Sequence, residues 1–91
     1  MTVEQLLETS QVTIEDLRSI FAVSCKTWGL DQSTCLALTL LLNSRWALML
    51  MIAWFHQEKE KGSQLTTTEI VLMAEKVRKA QDKRIELGMM V

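Results

Sequence analysis

Proline is absent from this chain of 91 residues and glycine occurs only three times. Without those two breakers long helices can run uninterrupted. β-Branched residues form no alternating runs, which argues against strands. Histidine occurs once and cysteine twice. No Ser-His-acid, Cys-His or C-x-x-C grouping can therefore be drawn, and no conventional nucleophile or closed metal site is encoded. A strong excess of one charge is missing too, since the formal net charge is −1. No whole-molecule field draws the chain to nucleic acid. Nor does the N-terminus start with basic residues followed by an apolar stretch, so the expected address is the cytoplasm, with Cys25 and Cys35 as buried free thiols in a reducing compartment.

What the chain has in excess is apolar side chains, 48% of the total. A single domain this small has too much surface for its volume to hide them all. Some should meet a second chain or a membrane.

Four helix starts share one chemistry. Thr2, Thr13, Asp31 and Thr66 each offer a side-chain oxygen to the backbone N–H three residues on. Each is flanked by an apolar residue just before the cap and another four positions inside, as in Leu65 and Ile70 around Thr66. The predicted helices cover residues 3–9, 14–28, 32–60 and 67–87. In the second, Ile14, Leu17, Phe21, Cys25 and Trp28 fall on one stripe, and Gly29 ends it. In the fourth, Ile70, Met73, Ala74, Val77, Ala80 and Gln81 turn inward, and Gly88 closes it. The apolar tail at residues 89–91 is expected to pack on something.

The third predicted helix dominates the reading. Residues 35–55 are nearly all apolar, interrupted only by Thr39 and the trio Asn43, Ser44 and Arg45. As one helix, 32–60 would be roughly 40 Å long at 1.5 Å per residue, apolar in every direction. A break at Asn43-Ser44, with Ser44 capping a second segment, is an open alternative. A membrane span is disfavoured: each leucine recovers about half a kcal/mol, whereas a central arginine costs roughly 2.5–3.5. Arg45 instead asks for a salt bridge, with Glu15, Asp16 or a second copy, or for a place on the rim where the helix leaves the core. Asn43 can set register and oligomeric state.

Other candidates resolve to ordinary surface or core. His56 and Glu60 share a helix face but lack a third ligand. Lys76, Lys79 and Lys83 form a basic edge on the last helix, with Glu75, Asp82 and Glu86 beside it and Glu75 spaced to pair with Lys79. The segments around Gly29 can be drawn as a helix-turn-helix, yet the would-be recognition helix carries no base-reading cation. The three tryptophans, with Phe21 and Phe55, suit a core or interface, and Met49, Met51 and Met73 suit a surface that repacks.

The expectation is an all-α protein, a small four-helix bundle with a long, fully apolar central third helix, completed by dimerisation. The interface is assigned to Leu38, Leu41, Leu42, Arg45, Leu48, Met49, Ile52 and Phe55. The function is non-catalytic and cofactor-free: protein–protein interaction or regulation through helix contacts, as a homodimer. A dimeric DNA-binding regulator using Lys76, Lys79 and Lys83 is the alternative, and a membrane-associated protein the second.

Overall fold

A computed structural model describes residues 12–88, and every regular element among them is helical. Helix α1 spans Ile14–Thr27, α2 Gln32–Leu41, α3 Arg45–Glu60 and α4 Thr67–Glu86. The predicted helix over 3–9 and the tail at 89–91 lie outside the described residues.

Three of the predicted caps form as the sequence directs. Thr13 Oγ1 accepts the Asp16 N–H at 3.2 Å, and Asp16 returns a carboxylate oxygen to the Thr13 N–H at 3.2 Å. Thr66 and Glu69 close the same reciprocal box at 3.1 and 3.2 Å. Asp31 accepts the Thr34 N–H at 2.8 Å. Each satisfies a donor that the first helical turn leaves free, worth about 1 kcal/mol. Gly29 takes φ +79°, the left-handed conformation that reverses the chain after α1. That turn lets the Leu30 N–H reach back to the Cys25 carbonyl at 3.0 Å.

The single long third helix is corrected. The chain bends at Leu42-Asn43-Ser44, and the apolar run is divided between α2 and α3. The last α2-type bond runs from the Leu42 N–H to the Leu38 carbonyl at 2.9 Å. Ser44 then adopts an extended backbone and caps α3 through the Ala47 N–H at 3.1 Å. The dimensions of the molecule reflect the bend. Its longest dimension is 34 Å, shorter than the roughly 40 Å rod that 32–60 would make. A straight rod apolar on all sides would also leave one side uncovered, whereas a corner lets each half turn its own buried stripe to the same interior.

Helix α1 packs on α2 and α3, and α4 packs on α2 and α3, closing a ring of four helices around one core. The core draws Leu17, Phe21 and Cys25 from α1, Leu38 from α2, Ala47, Leu48, Met51 and Phe55 from α3, and Ile70, Ala74 and Val77 from α4, with Leu30 and Leu42 from the connections. Phe55 gathers the aromatic side chains, with ring centroids 5.8 Å from Phe21, 6.2 Å from Trp28 and 5.6 Å from Trp54. The predicted inward face of the last helix holds at Ile70, Ala74, Val77 and Gln81; Met73 is half-buried and Ala80 faces solvent. Among the described residues, no helix is long and apolar enough to cross a membrane.

Candidate interaction surface

The corner between α2 and α3 is fastened from across the bundle by α4. Gln81, only 3% exposed, is the one buried polar residue described. Its Nε2 donates to Asn43 Oδ1 at 2.7 Å, and its Oε1 accepts from Ser44 Oγ at 2.8 Å. One turn earlier, Arg78 Nη1 donates to the Leu41 carbonyl at 2.8 Å while its Nε holds Asp82 at 3.1 Å. The guanidinium thus satisfies an orphan carbonyl at the C-terminus of α2, where the helix dipole also favours a cation. One turn after Gln81, Arg84 lies 4.7 Å from the Trp46 ring centroid. That stacking offsets a guanidinium Nε that is buried without a hydrogen-bond partner.

This clamp fixes which way α2 faces. Leu38 points into the core, and Cys35, Thr39 and Leu41 are half-buried. Ser33, Leu36, Ala37 and Leu40, spaced as one helical stripe, face outward. Leu36 is 61% exposed and Leu40 71%. The whole of α2, Gln-Ser-Thr-Cys-Leu-Ala-Leu-Thr-Leu-Leu, contains no charged side chain. On α1, Val23 is also exposed and lines a 370 Å³ groove with Ala22, Lys26, Leu30, Asp31, Gln32 and Cys35. A second groove, of 290 Å³, runs between α1 and α3 beside Ile20, Trp28, Ile52 and His56. Leu36 and Leu40 thus form an apolar stripe on a helix without charge, and Val23, Leu72, Ile85 and Leu87 are further large apolar side chains that meet water.

The residues assigned to an interface from the sequence divide three ways. Leu38, Leu42, Leu48 and Phe55 are buried inside this one chain. Leu41, Met49 and Ile52 are half-buried against the same core. Arg45 is exposed at the first position of α3, so of the readings offered for it the structure gives the rim. Among the described residues it closes no ion pair with Glu15 or Asp16; Glu15 is instead 4.0 Å from Arg18. Asn43 spends its side chain on Gln81 within the chain. Leu36 and Leu40 were missed because a wheel drawn through 32–60 assumes constant phase, and the corner resets that phase. The signal was Ser44, whose capping of a second segment the sequence offered as the alternative, but the interface was drawn on the unbroken helix.

The remaining candidates lie apart. Lys76, Lys79 and Lys83 are exposed on α4, as are Glu75, Asp82 and Glu86, so that face is of mixed sign. The pair that closes on it is Arg78–Asp82, not the Glu75–Lys79 pair expected from spacing. His56 Nε2 meets Glu60 at 3.2 Å, both well exposed. No group of three metal-ligating side chains occurs among the described residues. Cys25 and Cys35 are both free; burial, then the neighbouring Cys35 thiol, pushes Cys25 far above the usual thiol range.

Comparison with known proteins brings no match from family models, curated proteins or solved structures. The functional reading therefore rests on this surface.

Proposed function

We propose that this is a non-catalytic helical interaction module that self-associates through the outer face of α2, two copies laying Leu36, Ala37 and Leu40 against each other. The exposure of Leu36 and Leu40 on a helix with no charge carries this reading. A partner of opposite charge would have nothing on α2 to recognise, whereas a second copy of the same apolar stripe is complementary to it. The location that fits is the cytoplasm, whose reducing conditions suit a chain with two free thiols.

The size of the effect follows from burial. A leucine taken wholly out of water gains about 1.5–3 kcal/mol, and these are about two-thirds exposed, so four of them across a twofold contribute about 4–8 kcal/mol. Association itself costs at least about 4 kcal/mol in lost freedom. The net is at most about 4 kcal/mol, so the dimer is weak, with Kd about millimolar.

Sedimentation equilibrium over a concentration series tests this. The average mass should climb toward twice the chain mass, and Leu36→Lys with Leu40→Lys should hold the protein monomeric while its circular dichroism and Tm stay unchanged. A wild-type chain that stays monomeric at several times a roughly millimolar concentration would refute the reading.

Binding of duplex DNA by the Lys76, Lys79 and Lys83 edge is the competing proposal. It predicts a gel shift that weakens steeply with salt, and the neighbouring acids argue against it.

A further inference from the structure

Cys25 stands in the last turns of α1 and Cys35 in the first turns of α2. Nine residues separate them in sequence, and the Gly29 reversal folds α2 back on α1 so that Cys35 packs against the core that holds Cys25, whose thiol it neighbours. The approach is held from both sides. Leu30 N–H is bonded to the Cys25 carbonyl at 3.0 Å, Cys35 N–H to the Asp31 carbonyl at 3.0 Å, and α1 packs directly on α2. Access to the two sulfurs differs. Cys25 is fully buried, whereas Cys35 is half-buried and forms part of the wall of the 370 Å³ groove.

We propose that Cys25 and Cys35 are a redox-responsive pair that closes to an intramolecular disulfide, Cys35 being the thiol that a small hydroperoxide reaches first. In the first step Cys35 sulfur attacks the peroxide, the O–O bond breaks, and Cys35 becomes a sulfenic acid with release of water. In the second, Cys25 sulfur attacks Cys35 sulfur, the S–S bond forms, the S–O bond breaks, and the departing hydroxide leaves as water with the Cys25 proton. Two thiols and one hydrogen peroxide give one disulfide and two waters, and a dithiol reverses it. Burial holds Cys25 in its protonated form, which shields it from direct oxidation and makes the second step the slower one. The closed bond would staple α1 to the start of α2, two positions from Ser33 and one from Leu36, so the oxidised protein should melt at a higher temperature than the reduced one. The inference does not rest on self-association, because the chemistry occurs within one chain.

The test is to free the full chain of reductant, titrate it with hydrogen peroxide, and follow it by intact mass and non-reducing peptide mapping. Wild type should lose both free thiols and the mass of two hydrogen atoms, yield a Cys25–Cys35 cross-linked peptide, and recover both thiols with dithiothreitol. In Cys25→Ser, and in Cys25→Ala should serine unfold the core, the sulfenic acid should persist on Cys35 and be trapped there by dimedone. In Cys35→Ser, Cys25 should stay reduced while the protein remains folded. Over-oxidation of Cys35 beside a free Cys25 in wild type would overturn the proposal. So would a Cys35 bond between two copies, or oxidation of Cys25 in Cys35→Ser at the wild-type rate.

Discussion

Replacing Ser44 by alanine separates a cornered chain from a continuous helix by the sign of the effect. Were residues 32–60 one helix, alanine would be the better helix former and the variant would gain about 0.5 kcal/mol. At the corner Ser44 Oγ has two tasks, accepting the Ala47 N–H and donating to Gln81 Oε1. Loss of the cap costs about 0.5–2 kcal/mol. The Gln81 oxygen, left buried without a donor, costs about 1–3 more. Together they predict a loss of about 1.5–5 kcal/mol, or a Tm lower by roughly 6–40 °C for a chain of this size. Gln81→Leu alone should cost only about 1 kcal/mol, since Ser44 still caps α3 and the exposed Asn43 turns to water. In the double variant the stranded oxygen is gone, so its loss should fall short of the summed single losses by about 1–3 kcal/mol. Urea unfolding followed by circular dichroism reads all four proteins. An unchanged or raised midpoint for Ser44→Ala, or strict additivity in the cycle, would refute the reasoning.

Two further contrasts follow from burial and charge. Leu48→Ala should cost about 2–5 kcal/mol by emptying the core, whereas Leu40→Ala on the open face should change the stability of the dilute monomer by less than about 0.5, both read from urea midpoints. The Thr34 hydroxyl, then its N–H, hold the Asp31 carboxyl below its ordinary value of 3.8. A depressed folded pKa means that the stabilisation is complete above that ordinary value and disappears as pH falls through the folded one. Asp31→Asn keeps the capping oxygen but not the titration, so its urea midpoint should fall less than that of wild type between pH 7 and about pH 3.

The local chemistry of this protein was legible and its long-range chemistry was not. Thr13, Asp31 and Thr66 cap helices because a short side-chain oxygen and a nearby N–H need only a few residues of sequence to find each other. The α1 stripe was equally readable, with Leu17, Phe21 and Cys25 buried at helical spacing. At residues 42–44 the sequence offered the break and its Ser44 cap only as the alternative to one long helix, and it is the alternative that forms. Periodicity cannot register a bend within a run that is apolar on every side, and nothing near Asn43 or Ser44 names Gln81 as their partner. Once the bend is placed, four of the eight interface assignments become interior, and Leu36 and Leu40 emerge outside. The surface was hidden by an error of phase, not of composition.

The corner draws on groups 37 and 38 positions farther along the chain, Gln81 for Asn43 and Ser44, and Arg78 for the Leu41 carbonyl. A ribosome releases the bend well before it releases those clasps. Until α4 arrives, Ser44 alone marks the fold line in a greasy nascent segment, and a straight rod competes with the elbow. The later-made α4 is thus the latch that gives an earlier helix its direction, and an elongation pause before residue 67 would prolong the interval in which the segment is most prone to stick to other chains.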